Sequence, residues 1–542
     1  MNAKNFISEK TINSSELNEN RINNRLSLRK RNYNKIIFNK RMLISEIEQL
    51  FPQESSQESE NNLYNSNLLK TLSNEEILKI INEMNGKLLY GEILTELIQC
   101  LFSLDYYMNQ NLMNNVAFMN DNKIYIFLVD LLEQIININN MNNNSQLIFK
   151  ILQILFKYSS NKENNMKLIE YINVKISIFD KILSLINNKQ IHLKKTDILL
   201  YSVIILYNLS IESPILINTI KNNKIQEKTL SIINNKKIHL NINERNIFYI
   251  INFFSLNLLD ENVIKCNENY IHEIFNLLNE KGITSSIPKV QDLSLYCLCN
   301  ITSLFVSENF YKRIAHSNIF NNIYKYIKNS ENMNSVVVSL KIVNNILTEK
   351  NIDLNHFIKS DLLIGLIQLI INYEKNKESI SSDLLHHVIS IFLYLVKSPL
   401  FYSLIDKNRK FMVNIIYLIG KISNQVTHDI LTFIKYVIDE SYTISQLLIL
   451  NNVELISNLI NLVRDEVHND KIRTMDLVIL GKIIRYNHEN MNEEIDENIK
   501  LNEYEYQLKG IIESNLLNNE NINETLKKTF IIVLSIIYDE CL

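Results

Sequence analysis

The sequence predicts an all-α chain organised as a helical-repeat solenoid, and three observations carry that expectation. Backbone punctuation is scarce: 542 residues hold only seven Gly and four Pro, with no Trp, while Ile, Leu, Lys, Glu and Asn dominate, so helix can follow helix with little to stop it. An apolar stripe of helical period recurs after a polar break that carries Asn or Asp. Each stripe is followed by a second apolar helix before the next break. A chain of this length exceeds one ordinary core and suits several domains or one extended array.

Taken in order, the stripes are "NDNKIYIFLVDLLEQ" near Asn122, "NVKISIFDKILSLI" near Asn173, "NNKIQEKTLSII" near Asn223, "NENYIHEIFNLL" near Asn267, "SNIFNNIYKYI" near Asn318, "SDLLIGLIQLI" near Asp361, "KNRKFMVNIIYLI" near Asn408 and "NNVELISNLINLV" near Asn452. Asn122 to Asn452 is 330 residues in seven steps, a mean near 47, at the long end of the roughly 40–47 residues of helical repeats. The intervening helices include "QLIFKILQILFKYSS", "DILLYSVIILYNLS", "RNIFYIINFFSLNLL", "QDLSLYCLCNITSL", "SVVVSLKIVNNIL", "DLLHHVISIFLYLV" and "HDILTFIKYVI". Neither helix of a pair can bury its apolar face alone. Stacking on neighbours would bury both, with the second helix of each pair lining an inner surface. Asn at the breaks stands where left-handed backbone is expected and Gly would be the easiest choice.

Charge divides the chain further. Residues 21–41 hold +8 without one carboxylate and residues 1–20 hold −1, which leaves −10 of the total −3 for residues 42–542. The expected organisation is a basic arm (1–50), extended or helical; a polar, acidic linker (51–67); a solenoid (68–484); and an acidic insertion with two capping helices (485–542), since a terminal repeat needs a polar outer face. The five cysteines are scattered, without paired CxxC units, which suggests a reducing compartment. No apolar run is long enough to span a bilayer and the first residues do not read as a signal peptide, so the expectation is a soluble intracellular protein. Asn-rich runs such as "ININNMNNNSQ" read as low-complexity insertions.

This order of parts resembles the importin alpha family, in which a basic importin-beta-binding arm precedes armadillo repeats. Leu28, Arg29 and Lys30, then Lys40 and Arg41, resemble the two halves of the arm's "LRK…KRR" pattern, with Met42 in place of the last arginine and a spacer one residue longer. "LSNEEILKIINEMNGKLLYGEILTELIQCLFSLD" resembles the lead-in to the first repeats. Four successive repeats keep the family's groove asparagine, at Asn208, Asn257, Asn300 and Asn345, spaced 49, 43 and 45 apart. Phe253 and Tyr296 stand four residues earlier, where the family places Trp; Ile204 and Lys341 fill the same place in the other two, and Lys341 resembles the family's sixth repeat. Glu212 occupies the position of the acidic partner for a key cargo lysine, and Asp260 and Glu261 follow Asn257 similarly. Gln153 and Lys157 replace the pair in the second repeat, and the seventh and eighth repeats have lost both residues.

The resemblance implies a right-handed superhelical armadillo solenoid and an adaptor for nuclear import, moving between cytoplasm and nucleus. Asn208, Glu212, Phe253, Asn257, Asp260, Glu261, Tyr296, Asn300, Lys341 and Asn345 would hold an extended basic cargo peptide, the amides clamping its backbone and the aromatic rings its lysine stems. The second, minor cargo site is expected to be absent. Leu28, Arg29, Lys30, Arg31, Lys35, Lys40 and Arg41, with Ile36, Ile37 and Phe38 beside them, would engage importin beta or fold back over the chain's own groove. Implied partners are importin beta, basic cargo and an export receptor for recycling, with no membrane and no direct nucleic acid.

Plainer readings stand beside these. A basic run also fits a solvated face or a nucleic-acid tail, the asparagines also fit a structural ladder, and Phe253 and Tyr296 also fit a core. A non-transport armadillo scaffold binding other peptides or partner helices is the alternative function. His386 and His387 are adjacent, about 100° apart on a helix, and Cys297 and Cys299 are two apart, both poor geometries for a shared metal. With no Walker loop, GxSxG, HExxH or kinase signature, neither catalysis nor a cofactor is expected.

Overall fold

The computed structural model describes residues 72–83, 99–104, 123–137, 145–160, 175–188, 194–255, 267–303, 306–349, 352–373, 380–440, 452–464, 469–489, 495–518 and 522–538 together with Ile169, apart from Phe102, Glu212, His239, Asn241 and Lys397. Every regular element among them is helical. They fall into two compact units, divided between Leu304 and Phe305. The basic arm and the linker lie outside the described residues.

In the N-terminal unit, α1 (Asn74–Glu83), α2 (Lys123–Asn137) and α3 (Ser145–Ser159) precede α4 (Ser177–Asn187) and α5 (Lys195–Ser210). A repeat of three helices follows, α6 (Pro214–Asn222), α7 (Ile225–Ile233) and α8 (Glu244–Ser255), then α9 (Glu268–Leu277) and α10 (Pro288–Ser303). α9 ends in a π-helical turn, Leu278–Gly282. Two rows organise these helices. α2, α4, α7 and α9 pack side by side in one, and α3, α5, α8 and α10 in the other. The apolar stripe of the sequence is therefore one row, and the helix after it the other.

The C-terminal unit repeats the three-helix plan three times: α11 (Glu308–Ala315), α12 (Ile319–Asn329) and α13 (Met333–Leu347); α14 (Leu354–Ile358), α15 (Asp361–Ile371) and α16 (Ser382–Leu395); α17 (Pro399–Asp406), α18 (Arg409–Tyr417) and α19 (Asn424–Glu440). α20 (Val453–Arg464) with α21 (Asp470–Glu489), and α22 (Ile495–Asn518) with α23 (Glu524–Ile537), complete it. The third helices α13, α16, α19, α21 and α23 form one row; α12, α15 and α18 form the second. Each of these repeats is a short helix followed by two longer ones, the unit of an all-α helical-repeat solenoid. The acidic stretch 485–507 is less of an interruption than expected: α21 runs into it to Glu489 and α22 begins again at Ile495. Glutamate is a good helix former, and Glu505 of α22 reaches back to His488 Nε2 of α21 at 3.1 Å.

Stacking is visible in hydrogen bonds that recur at the repeat length. Asn208 pairs with Ser159 across 49 residues, Lys228 with Asp180 across 48, Tyr270 with Gln226 across 44, Asn344 with His387 across 43 and Arg473 with Asn515 across 42. These spacings bracket the mean near 47 read from the sequence. Between the rows the interior is apolar. Phe392, Phe401, Phe411 and Phe433, one from each of α16 to α19 and all fully buried, interlock with ring centroids 5.2–6.4 Å apart, in offset and edge-on arrangements that suit aromatic quadrupoles.

The asparagines at the breaks act differently from the expectation. Among the described residues the left-handed non-glycine positions are Lys194 and Lys224, each just before a helix. Of the break asparagines, Asn267 and Asn452 cap a helix, their side chains accepting the N–H of Tyr270 and Leu455, as Asn332, Asn469 and Asn523 do at other helix starts; Asn318 and Asn408 precede a helix without a side-chain cap and Asn223 closes α6. A free N–H at a helix start favours such an acceptor. Gly282 serves a close approach, since a Cβ there would lie 2.1 Å from Ser294 Oγ of α10.

Asp476 of α21 is the outlier in this core. It is fully buried and neither carboxyl oxygen has a hydrogen-bond partner. Burial pushes its pKa well above the carboxylate range, so it packs as the neutral acid. In the unfolded chain it ionises near 4. Its contribution to stability is therefore complete below about pH 4 and falls by about 1.4 kcal/mol per pH unit above it, until the raised folded value is reached. Asp476→Asn should remove that share of the slope, measured as urea midpoint against pH from 4 to 8; a variant with the parent's slope would contradict it.

Candidate functional site

The third helices carry the residues singled out by the sequence, and the extent to which each keeps a face open differs from helix to helix. α3 presents a half-exposed stripe, Gln146, Phe149, Lys150, Gln153 and Lys157, spaced as one side of a helix. Lys150 Nζ donates to Gln153 Oε1 at 3.3 Å. On α5 the open face closes: every residue from Ile198 to Ser210 is buried. α8 is likewise buried from Asn246 to Ser255.

Two sequence expectations change as a result. Asn208 is fully buried and its Nδ2 donates to Ser159 Oγ of α3 at 3.4 Å; this amide joins adjacent third helices instead of facing solvent. Phe253 is fully buried, its ring tilted against Phe254 at 5.9 Å, while Gln226 Nε2 of α7 donates to its carbonyl oxygen at 2.7 Å. The cause is local sequence. α5 and α8 are apolar around most of their circumference, and such helices are enclosed by neighbours on all sides. Glu212, Asn257, Asp260 and Glu261 lie outside the described residues, as do Leu28, Arg29, Lys30, Arg31, Lys35, Lys40 and Arg41.

On α10 a face reopens. Tyr296 and Asn300 are half-buried and four residues apart, with Asp292 one turn earlier, so the three share one side of the helix. Cys297 and Cys299 turn inward and are fully buried thiols outside any disulfide; burial pushes the Cys297 thiol up, as for a small core hydrophobe. In the C-terminal unit Lys341 is the half-exposed residue in the middle of α13, and Asn345, one turn later, is 7% exposed.

Beyond these positions the C-terminal unit carries a polar ladder that sequence reasoning missed. His386 and His387, adjacent on α16 with rings 5.1 Å apart, serve opposite neighbours. His386 Nδ1 bonds Asp429 Oδ2 of α19 at 2.6 Å, and Gln425 Nε2 reaches the other oxygen of Asp429 at 3.2 Å. On the other side Asn344 Nδ2 of α13 sits 3.2 Å from both the Nδ1 and the carbonyl oxygen of His387. Donating to both makes that Nδ1 an acceptor, which requires a neutral ring. Farther along, Lys482 of α21 pairs with Asp439 of α19, with Lys435 one turn before Asp439 and Arg485 one turn after Lys482. Each cross-helix pair spans 43 residues. The missed signal was a match at the repeat spacing between a donor and an acceptor; adjacency within one helix was the wrong test.

Electrostatics follow burial. His387 is pulled down to about 3, first by burial, then by the charges of His386 and Lys341. Burial also raises Asp429, yet its bonds to His386 and His428 and their charges hold its carboxyl below the usual value. Lys482 is lowered to about 8 by burial, then by the cations Lys435 and Arg485. Among the described residues no group of three His, Cys, Asp or Glu side chains could hold a metal, and no helix is long and apolar enough to cross a membrane.

A histidine neutral in the folded state and titrating near 6.5 when unfolded gives stability that is complete above that pH and is lost as pH falls toward 3. The loss is about 1.4 kcal/mol per pH unit. His387→Gln should remove that share of acid sensitivity, read as the change in urea midpoint between pH 7 and pH 5. An unchanged difference would show that the ring is charged in the folded chain.

Comparison with known proteins leaves the family open: no family model matches the chain, and no curated protein matches it. Among solved structures, an engineered protein is similar at 12% identity and a TM-score of 0.44, over 76% of this chain and 99% of that one. She4p is similar at 12% identity and a TM-score of 0.31, over 86% of this chain and 72% of that one.

Proposed function

We propose that the chain is a protein-binding adaptor that holds an extended peptide segment on the open parts of its third-helix faces, with a basic segment taken at α10 as in nuclear import. The observation that supports it is the pair Tyr296 and Asn300, half-exposed on one side of α10. A carboxamide offers a donor and an acceptor to a peptide backbone. A tyrosine face one turn away gives a lysine stem an apolar and weakly cation-attracting surface. Asp292 on the same side adds negative potential. In this reading the basic arm recruits importin beta, and attraction between cationic arm and acidic partner weakens with salt.

A second reading, a scaffold outside transport, draws support from the burial of Asn208 and Phe253. Two of the positions that would clamp a basic signal serve the core in this chain, and Lys157 on α3 would repel such a signal. Titration of a labelled lysine-rich localisation peptide separates the two, using chain lacking residues 1–45. Import predicts binding that Tyr296→Ala or Asn300→Ala weakens about tenfold, the equivalent of one good hydrogen bond or cation–π contact. Asn208→Ala, acting on a buried amide, should lower stability by about 1–3 kcal/mol with peptide affinity unchanged. Absence of binding, together with importin-beta affinity indifferent to the deletion, would remove the import reading and leave the scaffold.

A further inference from the structure

In the C-terminal unit the first helices of two consecutive repeats bring a pair of imidazoles together. His316 closes α11 as its C-cap, and His356 lies on α14; their ring centroids are 5.8 Å apart. Both side chains are exposed. Neither has a hydrogen bond or an ion pair among the described residues, so their ring nitrogens are open to a ligand. That separates them from His386 and His387, whose rings lie at a similar 5.1 Å but whose Nδ1 atoms are taken by Asp429 and Asn344 on opposite helices. Phe320 of α12, itself buried, lies beside His356 with ring centroids 6.4 Å apart and gives that imidazole an apolar wall.

We propose that His316 and His356 together bind one divalent transition-metal ion of the imidazole-preferring class, zinc first, which clips α11 to α14. Imidazole is the commonest ligand for such ions. A metal sits about 2.0–2.1 Å from the nitrogen that binds it, hence about 3.2 Å from that ring's centre, and two rings sharing it at a tetrahedral angle have centres about 5.2 Å apart. The observed 5.8 Å is about half an ångström longer, a gap that small rotations of two exposed rings close. Among the described residues no third His, Cys, Asp or Glu joins the pair. Water then completes the coordination shell, and affinity falls below that of a closed four-ligand site. The surrounding charge is mixed: Lys312 and Arg313 one turn before His316 and Lys359 one turn after His356 oppose a cation, while Glu308 and Asp353 favour it. All five are exposed, where water and salt screen them. The pair lies on first helices, so it stands apart from the third-helix faces that carry the peptide reading.

The test titrates the full chain with Zn²⁺ in competition with a chromophoric chelator, and records the urea midpoint with and without the ion. His316→Gln and His356→Gln should each weaken one equivalent of bound zinc by at least about tenfold, since the loss of even an outer partner of a metal ligand costs roughly 10- to 100-fold. The double variant should lose that same single equivalent. Zinc should also raise the urea midpoint of the parent chain by more than that of either variant, because an ion held only by the folded chain stabilises it. Both positions are exposed, so the glutamine variants keep the fold, and His272→Gln on α9 should leave both readouts at the parent's values. The proposal is overturned if the parent takes up no zinc, or if either variant keeps the parent's zinc count and affinity, the result expected of zinc held by thiols. Loss of two equivalents in the double variant would overturn it as well, because the two rings would then be separate sites.

Discussion

The structure depends on helices that cannot satisfy their apolar surface by themselves. α5 is buried from Ile198 to Ser210 without a gap, and α8 from Asn246 to Ser255. A helix that is apolar on nearly every side has no stable state in water and requires neighbours on both flanks. In a repeat chain those neighbours are the equivalent helices of the adjoining repeats, so burial of one unit creates the need for the next. The two rows of each unit follow from that requirement, with the interlocked Phe392, Phe401, Phe411 and Phe433 filling the space between rows at close-packed density.

Burial alone leaves the register of the stack loosely defined, because aliphatic surfaces slide. Polar pairs at the repeat spacing narrow it. Asn208 with Ser159, Asn344 with His387 and His386 with Asp429 are largely removed from water, where a misaligned partner would leave a buried polar group unsatisfied at a cost of about 1–3 kcal/mol. Such pairs set alignment more than they add net stability. Asp476 shows the opposite solution, a carboxyl kept neutral with no partner, and the core bears that cost in one place.

The same economy shapes what the surface can recognise. Where third helices are wholly enclosed there is no face to offer, and where a polar residue interrupts the apolar circumference a face opens: Tyr296 and Asn300 on α10, Lys341 on α13, Arg485 on α21. The α10 opening sets an amide and a phenol beside a carboxylate, Asp292.

Much of the fold was legible in the sequence. The stripe, its companion helix and a period near 47 depend on local periodicity and on the poverty of Gly and Pro, and these are properties a linear string carries. The capping asparagines were visible too, although their role was mistaken: a side-chain acceptor at a helix start leaves the same trace as a tolerance for left-handed backbone, and only φ at Asn267 and Lys194 tells the two apart. Exposure was decided by tertiary structure. Asn208 and Asn300 occupy the same place in their repeats, yet one is enclosed and the other half-open, an outcome set by the helices packed around each and not by the asparagine itself. The polar ladder was beyond reach for a related reason. Asp439 and Lys482 become partners only when two helices 43 residues apart are laid side by side, and no local pattern encodes which donor will meet which acceptor.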